Sequence, residues 1–97
     1  MIKETKKQRI EILAKQLQVA GDPSRLKILC LLFADKKACV SDIAKKMGAS
    51  VAIISHHLQP LVNVGILKSD REGKRICYSL SDKVFAKDLK QFICKYK

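Results

Sequence analysis

The stretch from Ser41 to Gly65, SDIAKKMGASVAIISHHLQPLVNVG, leaves this chain few ways to fold. Behind Ser41, a good helix N-cap, Ile43, Ala44 and Met47 recur at helical spacing. Gly48 then offers the left-handed residue on which helices commonly end. Ser50 can cap again, and a second helical pattern runs to Gly65. Two helices separated only by Gly48, Ala49 and Ser50 have little freedom to swing apart, so the spacing predicts a helix-turn-helix.

The flanks extend this pattern. Ile10, Leu13, Ala14 and Leu17 form the apolar stripe of a first helix. Asp22 is an N-cap with Pro23 at the first helical position, and Leu26, Leu29, Cys30 and Phe33 share the stripe of the second helix. After Gly65 the period shortens to two. ILKSD and RICYSL alternate around REGK, which has hairpin-turn chemistry. Ile76, Tyr78 and Leu80 are in phase and expected inward; Cys77, on the side of Arg75 and Ser79, is expected semi-exposed. Ser81 is expected to cap a last helix through Val84, Phe85, Leu89, Phe92 and Ile93. The reading is a mainly α chain with a small β-hairpin, a winged helix-turn-helix, in a single domain over residues 1–97. No repeat, low-complexity tract or Ser/Gly linker divides it.

Charge narrows the partner. Twenty Lys and Arg against nine Asp and Glu leave +11, an excess that attracts polyanions, with nucleic acid first and an anionic membrane surface second. No apolar run approaches the roughly 18 residues of a membrane span. The N-terminus, MIKETKKQRIE, lacks the apolar core of a secretory signal, which implies a cytoplasmic protein with reduced thiols. Cys30, Cys39, Cys77 and Cys94 show no CxxC pairing, so free thiols are expected rather than a zinc ribbon or a disulfide framework, and no cofactor is called for.

The adjacent histidines test the alternatives. On a helical wheel Val51, Ile54, Leu58, Leu61 and Val62 gather toward the core, while Ala52, Ser55, His56, Gln59 and Asn63 gather opposite. His57 falls at the border, a structural position. Neighbouring residues on a helix point about 100° apart, so His56 and His57 do not chelate one ion as an i, i+4 pair does. No nucleophile, base and orienting group can be assembled, which argues against an enzyme. The outward face instead suits the DNA major groove, with Ser50, Ala52, Ser55, His56 and Gln59 turned to base edges. It carries no arginine, so phosphate contacts are expected from Lys45, Lys46, Arg71, Lys74 and Arg75. Pro60 deprives the His56 carbonyl of its helical donor and predicts curvature or a kink.

The segments GDPSRLKIL, ACVSDIAKKMGAS, ISHHLQPLVNVGIL and REGKRICYSL together resemble the ArsR/SmtB family of winged-helix repressors, over nearly the whole chain. The resemblance implies a homodimer built from the first and last helices, binding to double-stranded operator DNA as an inverted repeat, and release by an inducer. The family's thiol-rich metal site lies at CVC in the third helix. Here the segment is Cys39-Val40-Ser41, a hydroxyl replaces the second thiol, and Cys39 remains only a weak metal-ligand alternative. The last helix has no histidine for the family's other zinc site. RLKILCLL and QFICKYK resemble the persulfide-sensing SqrR/BigR-type branch, which implies Cys30 and Cys94 as sensor thiols, oxidised or bridged by sulfur, with a persulfide or oxidant as inducer. By position alone Cys30 is a small core residue. Cys94 lies beside Lys87, Lys90 and Lys97, whose charge favours a thiolate. Two other readings stay open. One is an arsenic or soft-metal-responsive repressor in which Cys39 or Cys77 joins Cys30 or Cys94. The other is a constitutive architectural DNA-binding protein with inert cysteines.

Overall fold

The computed structural model describes residues 5–97. The charged start, residues 1–4, lies outside the described residues. Helix α1 (Lys6–Ala20) begins in a capping box: the Thr5 hydroxyl accepts from the Gln8 amide while the Gln8 side chain accepts from the Thr5 amide. Helix α2 (Pro23–Asp35) starts as read, with the Asp22 carboxylate accepting from the Arg25 amide at 3.0 Å and Pro23 leading the first turn. Lys36, at φ 66°, turns the chain sharply into a short strand, β1 (Lys37–Cys39). Helix α3 (Val40–Met47), the left-handed Gly48 and helix α4 (Val51–Asn63) make the helix-turn-helix. Strands β2 (Leu67–Glu72) and β3 (Arg75–Leu80) form the wing, and α5 (Val84–Tyr96) closes the chain.

The sheet differs from the expected hairpin. It has three antiparallel strands in the order β1-β3-β2, with Cys39 opposite Cys77 and Asp70 opposite Cys77 on the other side. Three residues of β1 are too few to show a period of two. They become a strand because β3 offers them a free edge.

That extra strand also explains a correction at the wing. Cys77 is fully buried, not semi-exposed, and Ile76 is exposed rather than inward. β3 is the central strand, packed on by both α2 and α3, so alternation no longer separates core from solvent at its middle.

The core gathers Ile28, Leu29, Ile43, Leu58, Leu61 and Ile66, all at 0% exposure, from α2, α3, α4 and the start of the wing. Burying each such side chain stabilises the fold by about 1.5–3 kcal/mol. Three cap and face readings change. Cys39, not Ser41, is the N-cap of α3, and no side chain completes that cap. Lys83, not Ser81, is the N-cap of α5. Ser81 is buried; its hydroxyl donates to the Gly65 carbonyl at 2.6 Å and accepts from the Lys83 amide at 3.3 Å. Val51 is exposed despite its place on the apolar wheel face, because the first turn of α4 projects past the core. Helix α4 runs unbroken through Pro60, as tolerated curvature requires.

Candidate nucleic-acid interface and cysteine sites

The reading face of α4 keeps most of its expected side chains at the surface. Ala52, His56 and Gln59 are exposed and Ser55 is half-buried. Ser50 is exposed, but its hydroxyl accepts from the Ile53 amide at 3.1 Å and serves the helix start. The Gln59 amide donates to Asn63 Oδ1 at 2.9 Å, which holds it along the helix. His57 is half-buried with a buried Nδ1 that has no hydrogen-bond partner. The two imidazoles meet edge to face, ring centroids 6.0 Å apart, and do not converge on a common point.

The cations divide into two groups. Lys46 pairs with Asp35 at 2.5 Å, and Arg75 reaches Asp42 at 2.5 Å and the Ser41 hydroxyl at 3.4 Å. These contacts brace α3 against α2 and against the wing. Lys45, Arg71 and Lys74 are exposed and make no ion pair among the described residues, so their charge is available to a polyanion. Half-exposed pairs are worth little to stability, about 0–1 kcal/mol, so Arg75 and Lys46 act mainly by orientation.

The cysteines also divide. Cys39 and Cys77 are joined in a disulfide, against the expectation that all four thiols are free; their direct pairing in the β1–β3 ladder brings the sulfurs together. The Glu72 carboxylate lies within 4.8 Å of both sulfurs, and Glu72 pairs with Lys37. This trio is where a soft metal fits best, because reduction frees two thiolates beside a carboxylate; bonded to each other, the sulfurs are not ligands. The sequence names Cys39 and Cys77 as soft-metal alternatives but not their pairing with each other, since Cys39 joins Glu72 and Cys77 only through β1. Cys30 and Cys94 are free thiols. Cys30 is half-buried on α2; Cys94 is exposed on α5, in a groove of about 500 Å³ lined also by Lys87, Lys90 and Gln91. Helices α2 and α5 pack on each other.

Helices α1 and α5 carry most of the exposed large apolar side chains, the others being Val51, Ile53 and Ile76. Leu17 is 51% exposed, Phe92 62% and Tyr96 69%, with Ile10, Leu13 and Val84 also exposed. The stripe read for α1 therefore faces away from this chain's own core, and only Ala86 and Leu89 of α5 are buried. No helix among the described residues is long and apolar enough to cross a membrane.

Comparison with known proteins agrees with this architecture. Residues 22–69 match the family model described as "Bacterial regulatory protein, arsR family". A cadmium resistance transcriptional regulatory protein CadC homolog from Staphylococcus aureus is 40% identical over 80 residues, covering 82% of this chain and 66% of that protein. The chain spans between about half and two thirds of the length of the cadmium regulators it matches. An uncharacterized HTH-type transcriptional regulator, MJ1325 of Methanocaldococcus jannaschii, is 36% identical over 77% of this chain and 84% of its own length. Among solved structures, the homodimeric winged helix-turn-helix DNA-binding domain Mb0332 from Mycobacterium bovis superimposes with a TM-score of 0.76 at 26% identity, covering 97% of this chain and 84% of that one. The fold is a winged helix-turn-helix, and the chain belongs to the arsR family of bacterial regulatory proteins.

Proposed function

We propose that the chain is a homodimeric transcriptional repressor that binds double-stranded operator DNA, an inverted repeat, through α4 and the wing. An operator partner puts its site of action in the cytoplasm. The observation that carries this reading is that Ala52, His56 and Gln59 stay exposed on α4 while Lys45 on α3 and Arg71 and Lys74 on the wing are exposed and make no ion pair among the described residues. The exposed apolar faces of α1 and α5 support a second copy as the covering partner, because a monomer seldom leaves such side chains in water together. All 97 residues would act as one DNA-binding domain, with Ser50, Ser55, Lys46 and Arg75 shaping the surface that the others present.

Release is assigned to Cys30 and Cys94. Cys94 is exposed beside Lys87 and Lys90, and its helix packs on the helix of Cys30. The Cys94 thiol takes the outer sulfur of a persulfide and frees a thiol; Cys30 then displaces hydrogen sulfide to leave a disulfide between the helices. Intact mass of the reduced protein after a persulfide donor, paired with a DNA mobility shift, tests the scheme. Loss of binding that persists in the Cys30→Ser and Cys94→Ser variants sinks it. Equal affinity for scrambled DNA would instead identify an architectural binder.

A second reading is favoured by the Cys39, Glu72 and Cys77 trio, whose donors suit arsenic or a soft metal once reduced. Here arsenite or cadmium releases the reduced protein from DNA, and Cys39→Ser removes that response while Cys94→Ser does not.

A further inference from the structure

The Cys39–Cys77 pair is not used by the persulfide scheme, yet it occupies the joint between the two elements that form the candidate DNA surface. Cys39 ends β1 and is the N-cap of α3; Cys77 sits in the middle of the wing strand β3, 38 residues away in sequence. Two polar contacts cross the same joint, Lys37 to Glu72 and Arg75 to Asp42. Cys77 has no exposure, whereas Cys39 is half-buried, so reagents meet Cys39 first.

We propose that Cys39 and Cys77 form a reversible disulfide site, separate from Cys30 and Cys94, that is oxidised by small-molecule disulfides and clamps the wing onto the helix-turn-helix. The Cys39 thiolate attacks one sulfur of the small disulfide, making a mixed disulfide and expelling one small thiolate. The Cys77 thiol, with the Glu72 carboxylate within 4.8 Å, then loses its proton, attacks the Cys39 sulfur and expels the second small thiolate. The two protein thiols lose two electrons, the small disulfide gains them, and the two thiol protons end on the released thiols. Thiol reductants reverse each step.

The bond holds the ladder beside α3 closed, so Arg71 and Lys74 keep one position relative to α4. Less ordering is then needed on binding, and the disulfide form binds DNA more tightly. This last consequence rests on the operator-binding reading; the thiol chemistry does not.

The test uses the full chain carrying Cys30→Ser and Cys94→Ser, reduced and then incubated with oxidised glutathione. Intact mass should fall by about 2 Da with no glutathione retained, and free thiols should go from two per chain to none. The thermal midpoint of the oxidised form should rise by roughly 10–30 °C, as for a cross-link that closes a long loop. Its DNA affinity should be about three- to tenfold tighter, and dithiothreitol should restore the starting values. A glutathione adduct that persists, or a bond between chains, overturns the site. A correct intrachain bond with unchanged or weaker DNA affinity overturns the clamp. If neither form binds DNA, the operator reading fails and the clamp with it, while the mass result still judges the disulfide site alone.

Discussion

The two ends of this molecule are finished in different ways. The helix-turn-helix and wing are closed within the chain, by a three-stranded ladder, the Cys39–Cys77 bond, the Arg75–Asp42 pair and a run of fully buried side chains. Helices α1 and α5 are not. They leave Leu17, Phe92 and Tyr96 at more than half exposure. If α4 and the wing meet DNA as proposed, they gain from internal bracing, and if α1 and α5 join a second copy they must stay apolar and open until it arrives. Contact with water is therefore a cost on one end and a working condition on the other.

Substitutions at the two ends should separate accordingly. Leu58→Ala opens a cavity under the reading helix and should destabilise the fold by about 2–5 kcal/mol in urea unfolding. A change below 1 kcal/mol would mean that the core does not close as described. Leu17→Glu with Phe92→Glu should leave the secondary structure intact but turn a dimer into a monomer in sedimentation, and weaken operator binding by more than about tenfold, or 1.4 kcal/mol. Unaltered sedimentation would remove the contrast between the two ends. Ser50→Ala takes the cap from α4 and should cost about 1 kcal/mol, read as a lowered thermal midpoint. Asp42→Asn should be the mildest, within about 1 kcal/mol, because the pair with Arg75 is half exposed. Its trace should be found in the salt dependence of DNA binding, since the freed Arg75 can turn to phosphate.

The helix-turn-helix was legible because its signals are local. Asp22, Gly48 and Ser50 act within one turn of their own positions, and each takes the expected role. The outward set on α4 was legible for the same reason, since a wheel needs only one helix. What escaped depends on distant partners. β1 exists only because β3 accepts it, and with β1 came the burial of Cys77 and the bond to Cys39. Ser81 looks like a helix cap in the sequence, but its hydroxyl is taken by a carbonyl 16 residues earlier. The stripe of α1 was read as apolar, the resemblance implied that it faces a second copy, and Leu13 and Leu17 are exposed on this chain. Pairing of Cys30 with Cys94 was suggested by resemblance alone; both are free thiols, Cys94 exposed in a groove with Lys87 and Lys90.

The Ser81 amide donates to the Ile66 carbonyl at 3.0 Å, and its hydroxyl grips Gly65 next door. The exit of the wing is thereby pinned to the exit of α4 only two residues before the N-cap of α5. Such a short tether has no slack. Only Asp82 separates Ser81 from that N-cap, so one hydroxyl and one amide hold the start of α5 close to the end of α4.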